Sequence, residues 1–114
     1  MLTNALIVFA IAAVGGLLLA AKILMGKRPS WLVSIVHALL GASGLVMLVM
    51  VVIESSESGR VTAALAFLIV AALGGFYLAS IHLKDKLAPK GVVAIHAGVA
   101  VVGVLTLVSV VFGL

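Results

Sequence analysis

Three histidines are the side chains of this sequence that are best suited to chemistry. His37 and His96 lie inside long apolar runs, and His82 lies near the end of another one. A neutral imidazole can ligate a metal, and an imidazole can also take up or release a proton near neutral pH. Ionisable residues are costly inside a membrane and mark functional sites there more often than not. The histidines are therefore the first candidates for a functional site.

The runs that carry these histidines are long enough to cross a membrane. Of the 114 residues, 66% are hydrophobic and 9% are charged, whereas about a quarter of a soluble domain is charged. Asp, Glu, Lys and Arg are absent from segments 1–21, 29–53, 61–83 and 91–114. A transmembrane helix takes about 20 apolar residues. We therefore predict four transmembrane helices, at approximately 2–24, 30–53, 60–83 and 90–113.

The sequence repeats itself after 59 residues. AVGGLLLA at 13–20 aligns with ALGGFYLA at 72–79, and VSIVHA at 33–38 aligns with VVAIHA at 92–97. The two copies, 1–53 and 60–114, each hold two helices, so both enter the membrane in the same direction. Short loops then favour one all-α transmembrane domain over 1–114, an up-down four-helix bundle. In it, the second and fourth helices face each other, and His37 and His96 become partners at equal depth.

The positive charges predict an orientation. Loops 22–30 and 84–90 hold six Lys and Arg residues, against one in the segment 54–60. Positively charged loops stay in the cytoplasm, so we expect loops 22–30 and 84–90 to be cytoplasmic and both termini to lie outside. Trp31, at the start of the predicted second helix, is typical of residues that anchor a helix at the membrane–water interface. The apolar helices lead us to expect contact with the lipid bilayer. Because the net charge of +4 arises in short loops, we expect no binding of nucleic acid.

Small residues accompany the histidines on their helical faces. His37 is followed at four and seven residues by Gly41 and Gly44, and His96 by Ala100 and Gly103. The glycine pairs Gly15-Gly16 and Gly74-Gly75 lie near mid-membrane in the first and third helices. Small residues let helices approach closely. They would also leave room for a flat macrocycle between helices.

Four interpretations of the two intramembrane histidines are open. They could hydrogen-bond between helices, ligate a haem iron from opposite sides, form a Zn or Cu site together with His82, or move a proton or cation. No cysteine is present, which excludes thiolate ligands, disulfides and covalently attached haem. A closed zinc site would lack a fourth ligand at this depth, and a transporter normally uses an intramembrane carboxylate. We favour one non-covalent haem b, with its propionates toward the lysines of the cytoplasmic loops.

The first helix pair contains GGLLLA, a loop lysine, a proline and His-Ala, and its second copy reads GGFYLASIHLKDKLAPKGVVAIHAG. This pattern resembles small bacterial four-helix b-type cytochromes, of the class that includes the ascorbate-reducible transmembrane cytochromes. The resemblance implies a haem held between histidines on facing helices, with His37 and His96 as axial ligands. Members of that class often hold two haems with four histidines. This sequence has no second pair in its outer half, so we expect one haem per chain.

The expected activity is one-electron transfer, because two strong axial ligands leave no open coordination site. The chain would be an electron-transfer cytochrome or a small membrane oxidoreductase, with quinol as a redox partner that shares the membrane. Glycine-rich outer faces would permit a homodimer. His82 is expected to hydrogen-bond a propionate or to line the site, and His82 with His96 is the alternative ligand pair. No catalytic set or phosphate-binding loop is found. The competing hypothesis is a cofactor-free small transporter or a helical interaction protein.

Overall fold

The computed structural model describes residues 1–54 and 59–114. Its four α-helices are α1 (Leu2–Leu24), α2 (Trp31–Glu54), α3 (Gly59–Leu83) and α4 (Lys90–Val111). Each helix is long and apolar enough to cross a membrane. The prediction of an all-α four-helix bundle is confirmed, the helices fit a multi-pass membrane protein, and the predicted helix ends agree within two residues. The segment predicted as the loop 54–60 falls mostly on 55–58, which lie outside the described residues.

The bundle consists of two helical hairpins. The most extensive packing is between α1 and α2 and between α3 and α4, and the hairpins meet along an α2–α3 seam and an α1–α4 seam. α2 and α4 are therefore diagonal to each other, as expected for an up-down order. We call the end with residues 25–30 and 84–89 the loop end, and the opposite end, near Met1 and Phe112, the far end. The longest dimension is 43 Å, close to the roughly 40–45 Å thickness of a bilayer with its head groups.

The turns at the loop end reproduce each other. Gly26 has φ +73°, and Asp85, at the equivalent position of the second hairpin, has φ +61°. The next N–H in each turn donates back into its helix, from Lys27 to the Lys22 carbonyl at 2.9 Å and from Lys86 to the Ile81 carbonyl at 3.2 Å. This left-handed cap ends both helices. The repeat therefore extends to the backbone of the turns, even where glycine and aspartate replace each other.

Side-chain packing is unequal along the bundle. The buried core lies in the far half and comprises Leu6, Phe9, Leu48, Val51, Val61, Ala64, Leu68 and Leu107. The loop half consists of 13–24, 31–43, 72–83 and 90–102. Among these described residues, Val93 is the single buried one. The far half therefore holds the buried core, whereas the described side chains of the loop half, called the open half below, are half-buried or exposed apart from Val93.

Candidate functional site

His37 of α2 and His96 of α4 face each other across the bundle, where the packed half meets the open half. Their ring centroids are 6.3 Å apart, and the ring planes make an angle of 83°. The backbones of α2 and α4 make no close contact in the described chain, and the two imidazoles meet edge to face across this diagonal. The structure therefore brings together the two residues that the repeat predicts as partners.

Each of these rings donates an equivalent hydrogen bond to the other helix of its own hairpin. His37 Nδ1 donates to the Ala12 carbonyl at 2.7 Å, and His96 Nδ1 donates to the Ala71 carbonyl at 2.7 Å. A carbonyl oxygen only accepts, so Nδ1 carries a proton, and Nε2 of the neutral ring has a free lone pair. Neither Nε2 has a hydrogen-bond partner among the described residues. Metal-ligating histidines characteristically donate their second ring N–H in this way.

The glycine pairs of α1 and α3 make room for the imidazoles. A Cβ atom at Gly16 would lie 2.9 Å from His37 Cε1, and one at Gly75 would lie 3.2 Å from His96 Cε1. Gly15 and Gly74 lie beside the same rings, where a Cβ would be 3.7 Å from His37 Cβ and 3.5 Å from His96 Nδ1, respectively. The absence of side chains here lets each ring approach the neighbouring helix closely, within reach of its carbonyl.

The small residues after the histidines have unequal surroundings. A Cβ at Gly44 would lie 2.8 Å from Phe9 Cε1, and one at Gly103 would lie 2.8 Å from Leu68 Cγ. Both glycines are buried in the far half, where they allow close helix packing, the first of the two roles that we expect for small residues on these faces. A Cβ added at Gly41 would meet no described atom within 4 Å, and Ala100 is half-buried. These two remain beside the open half.

His82 lies on the α2–α3 seam, one helical turn from the loop end. Its ring stacks on Trp31, with centroids 3.7 Å apart and planes 7° apart, and its Nδ1 lies 3.3 Å from Ser34 Oγ. His82 thus pairs with residues of α2, and its described contacts do not include His96. The described residues contain no group of three or more metal-ligating side chains, so the three-nitrogen Zn or Cu site is not assembled.

The loop end is strongly basic. The described residues form one salt bridge, in which Arg28 of the first loop binds Asp85 of the second. Both side chains are well exposed, so the pair stabilises the fold by little, about 0–1 kcal/mol. Lys22, Lys27, Lys84, Lys86 and Lys90 pair with no described acidic residue. An anionic group in the open half would therefore meet a positive potential at this end.

A groove opens beside His96 on the outer face of the second hairpin. Its volume is about 390 Å³, and it opens onto the surface of the bundle. The walls are apolar and include Leu73, Val92 and Ile95, with Gly74 and His96 at the base. The His96 ring is thus reachable from the lipid-facing side of α3 and α4.

Sequence reasoning missed three residues of this region. The carbonyls of Ala12 and Ala71 hold the histidines, but a backbone acceptor leaves no signature in residue type. Ser34 contacts His82, and its position three residues before His37 could have placed it on the same face of α2.

Comparison with known proteins matches the chain to no protein family, no curated protein and no solved structure. The function is therefore argued from this geometry.

Proposed function

We propose that this chain is a membrane haem b protein, in which His37 and His96 ligate one iron and which transfers single electrons. The observation that carries the proposal is the matched pair of imidazoles. Each ring donates its Nδ1 proton to a backbone carbonyl at 2.7 Å and keeps Nε2 free. Two such nitrogens on diagonal helices are the donor set that a six-coordinate haem iron takes.

The separation of the rings supports this assignment. An imidazole nitrogen binds a transition metal at about 2 Å, and the ring centroid lies about 1 Å behind that nitrogen, so two opposed ligands have centroids about 6 Å apart. The observed 6.3 Å agrees with that value. Ring planes at 83° are compatible with ligation, because each imidazole can turn about its own bond to the metal.

The surroundings also suit the cofactor. A haem is largely apolar with two anionic propionates, and the open half combines apolar walls with a basic loop end. Gly15 and Gly74 leave room beside the rings, and Gly41 and Ala100 follow the histidines by four residues on the same helical faces. Gly44 and Gly103 pack in the core, so the proposal gives them a structural role.

When bound, haem supplies a one-electron redox centre. The residues of this chain would hold the cofactor and control access to it. His37 and His96 would hold the iron through both Nε2 atoms and so leave no position for a substrate, and the carbonyls of Ala12 and Ala71 make the imidazoles more basic and fix their orientation. The packed far half keeps water away from one side of the pair. We place the chain in a bacterial inner membrane with the loop end in the cytoplasm, and we propose the quinol pool as its redox partner.

The decisive experiment is the visible spectrum of the detergent-purified protein from haem-replete cells. We expect a coloured protein whose dithionite-reduced minus oxidised spectrum has the sharp bands of a low-spin b-type haem, at about one haem per chain. The matched control is the double variant His37→Ala/His96→Ala, which should be colourless. A colourless wild-type protein whose spectrum does not change on addition of haemin would refute the proposal and favour the cofactor-free transporter or interaction protein.

A further inference from the structure

A tyrosine and a lysine lie in line with the groove on the outer face of the second hairpin. Five residues of α3 and its last turn are spaced by three or four and so share one helical face: Val70, Gly74, Tyr77, Ile81 and Lys84. The Lys84 N–H donates to the Ser80 carbonyl at 3.2 Å, so the helical turn includes Lys84. Val70 and Gly74 line the groove. Toward the loop end, this face therefore carries an apolar groove, then a phenol, then an ammonium group.

The spacing along this face matches one leaflet of a bilayer. Gly74 and Lys84 are ten residues apart in the sequence, which is about 15 Å along the helix axis and about half of the roughly 30 Å hydrocarbon core. The α4 wall of the groove extends from Val92 to Val99, about 10 Å along that helix. In a chain that crosses the bilayer, the groove thus lies parallel to the lipid tails, with Lys84 at the membrane surface.

The groove itself suits an acyl chain. Its walls face the lipid, with Leu73 63% exposed and Ile95 69% exposed. Among the described residues that line it, the one polar side chain is that of His96, whose Nδ1 already donates to the Ala71 carbonyl. An acyl chain needs only apolar contacts, whereas a polar group that entered the groove would lose its hydrogen bonds to water without replacement.

The groups on the loop side of the groove suit the head of an anionic phospholipid. Tyr77 is 56% exposed, and its hydroxyl has no hydrogen-bond partner among the described residues. A phenol at a membrane boundary needs an acceptor, and the ester carbonyls of a phospholipid lie at that depth. Lys84 pairs with no described carboxylate, because its neighbour Asp85 binds Arg28. Its ammonium group is therefore available to a phosphate.

We infer that this face of the second hairpin binds one anionic phospholipid, with the phosphate at Lys84, an ester carbonyl at Tyr77 and an acyl chain in the groove beside His96. Membrane topology accounts for the number of lysines in this loop, but not for the order of groove, phenol and ammonium group along one helical face. The inference is independent of the proposed function, since it requires no cofactor.

The first hairpin provides an internal comparison. After the 59-residue shift, Leu18 and Met25 stand at the positions of Tyr77 and Lys84. The cation on the corresponding face of α1 is Lys22, which lies about 4.5 Å farther from the loop end than the position of Lys84. The first hairpin thus lacks both the phenol and the cation at the membrane surface, and equivalent substitutions in it serve as controls.

Native mass spectrometry of the purified protein, delipidated in detergent, tests the inference. The protein is titrated with phosphatidylglycerol, with phosphatidylcholine of the same acyl chains, and with free glycerol 3-phosphate, and the dissociation constant of the first bound molecule is measured. We expect the wild type to prefer phosphatidylglycerol over phosphatidylcholine by about fivefold, the effect of one lysine close to an anionic lipid. Glycerol 3-phosphate, which has no tails, should bind far more weakly than either lipid.

Three variants separate the parts of the site. Lys84→Gln should remove most of the preference for phosphatidylglycerol. Tyr77→Phe should weaken the binding of both lipids by about two- to tenfold, the effect of one hydrogen bond. Val92→Phe should fill the groove and weaken both lipids by a similar factor. The matched controls are Lys27→Gln and Val33→Phe in the first hairpin, and both should bind the lipids as the wild type does.

Equal affinity of the wild type for the two lipids would overturn the inference, and so would an unchanged preference in Lys84→Gln. Binding of glycerol 3-phosphate as tight as that of phosphatidylglycerol would also overturn it, because the groove would then contribute nothing. Lys84 is exposed, so its variant decides the question even if Val92→Phe does not fold. These results leave the haem proposal unaffected, since the spectrum tests that proposal separately.

Discussion

The imidazoles of His37 and His96 stand 6.3 Å apart and almost perpendicular, and they link two helices whose backbones do not touch. Each ring is fixed by a hydrogen bond to the other helix of its own hairpin. Each hairpin therefore places one oriented imidazole on the α2–α4 diagonal. A preset Nε2 loses little rotamer freedom when it binds a metal, which favours affinity. Each histidine thus makes an interhelical hydrogen bond through Nδ1, and on our proposal the same bond orients Nε2 for the iron.

Single substitutions at the three histidines separate ligands from supporting residues. We expect His37→Ala and His96→Ala each to abolish the low-spin spectrum, because an iron with one axial imidazole becomes high-spin or is lost. His82→Ala should retain the low-spin bands and bind haemin more weakly. The measurement is the oxidised and reduced spectrum at equal protein concentration. Loss of the bands in His82→Ala together with their retention in His37→Ala would show that the ligand pair is assigned wrongly.

Gly16→Ala should displace an imidazole. Its new Cβ would lie 2.9 Å from His37 Cε1, and the ring cannot withdraw without losing its bond to Ala12. We expect a cost of about 1–3 kcal/mol in unfolding free energy, as for other overpacked sites, and weaker haemin binding. Gly98→Ala is the control, because no described atom lies within 4 Å of its added Cβ: it should leave haemin binding unchanged and should not lower the unfolding free energy, since alanine is the better helix former. Equal behaviour of the two variants would contradict the contact.

Gly44→Ala should destabilise the packed half. The added methyl group would meet the Phe9 ring at 2.8 Å from Cε1 and 2.9 Å from Cζ, and a buried phenyl ring has little room to move. We expect a loss of about 1–3 kcal/mol, measured by unfolding in mixed detergent micelles. Phe9→Leu in the same chain removes the clashing ring edge and should restore part of the loss. A double variant no more stable than Gly44→Ala would argue against this contact.

The orientation can be tested with single cysteines, because the chain has none of its own. In intact cells, a membrane-impermeant maleimide should label Thr3→Cys, at the far end. It should label Lys27→Cys and Lys86→Cys only after the membrane is opened, because positive loops remain inside. The reverse pattern would place the loop end outside and would move the proposed redox site to the other face of the membrane.

The sequence predicts the helices well and the site in part. Charge-free segments define the four spans, and the 59-residue repeat pairs His37 with His96. These helices are apolar on all sides, so periodicity does not say which face points inward. The contact of Gly44 with Phe9 and the position of His82 against α2 depend on helix rotation, and they could not be predicted. The carbonyls of Ala12 and Ala71 belong to the backbone and would have escaped any reading of side chains.

The unequal packing along the bundle makes the molecule one-sided. Leu48, Val61 and Leu107 are fully buried and belong to the apolar core of the far half. The histidine pair lies where this core ends. Water, protons and polar redox partners can thus approach the pair only from the loop end or sideways from the lipid. On the proposed function, such a chain would exchange electrons between the membrane interior and one aqueous compartment, and passing charge to the other compartment would require a second protein.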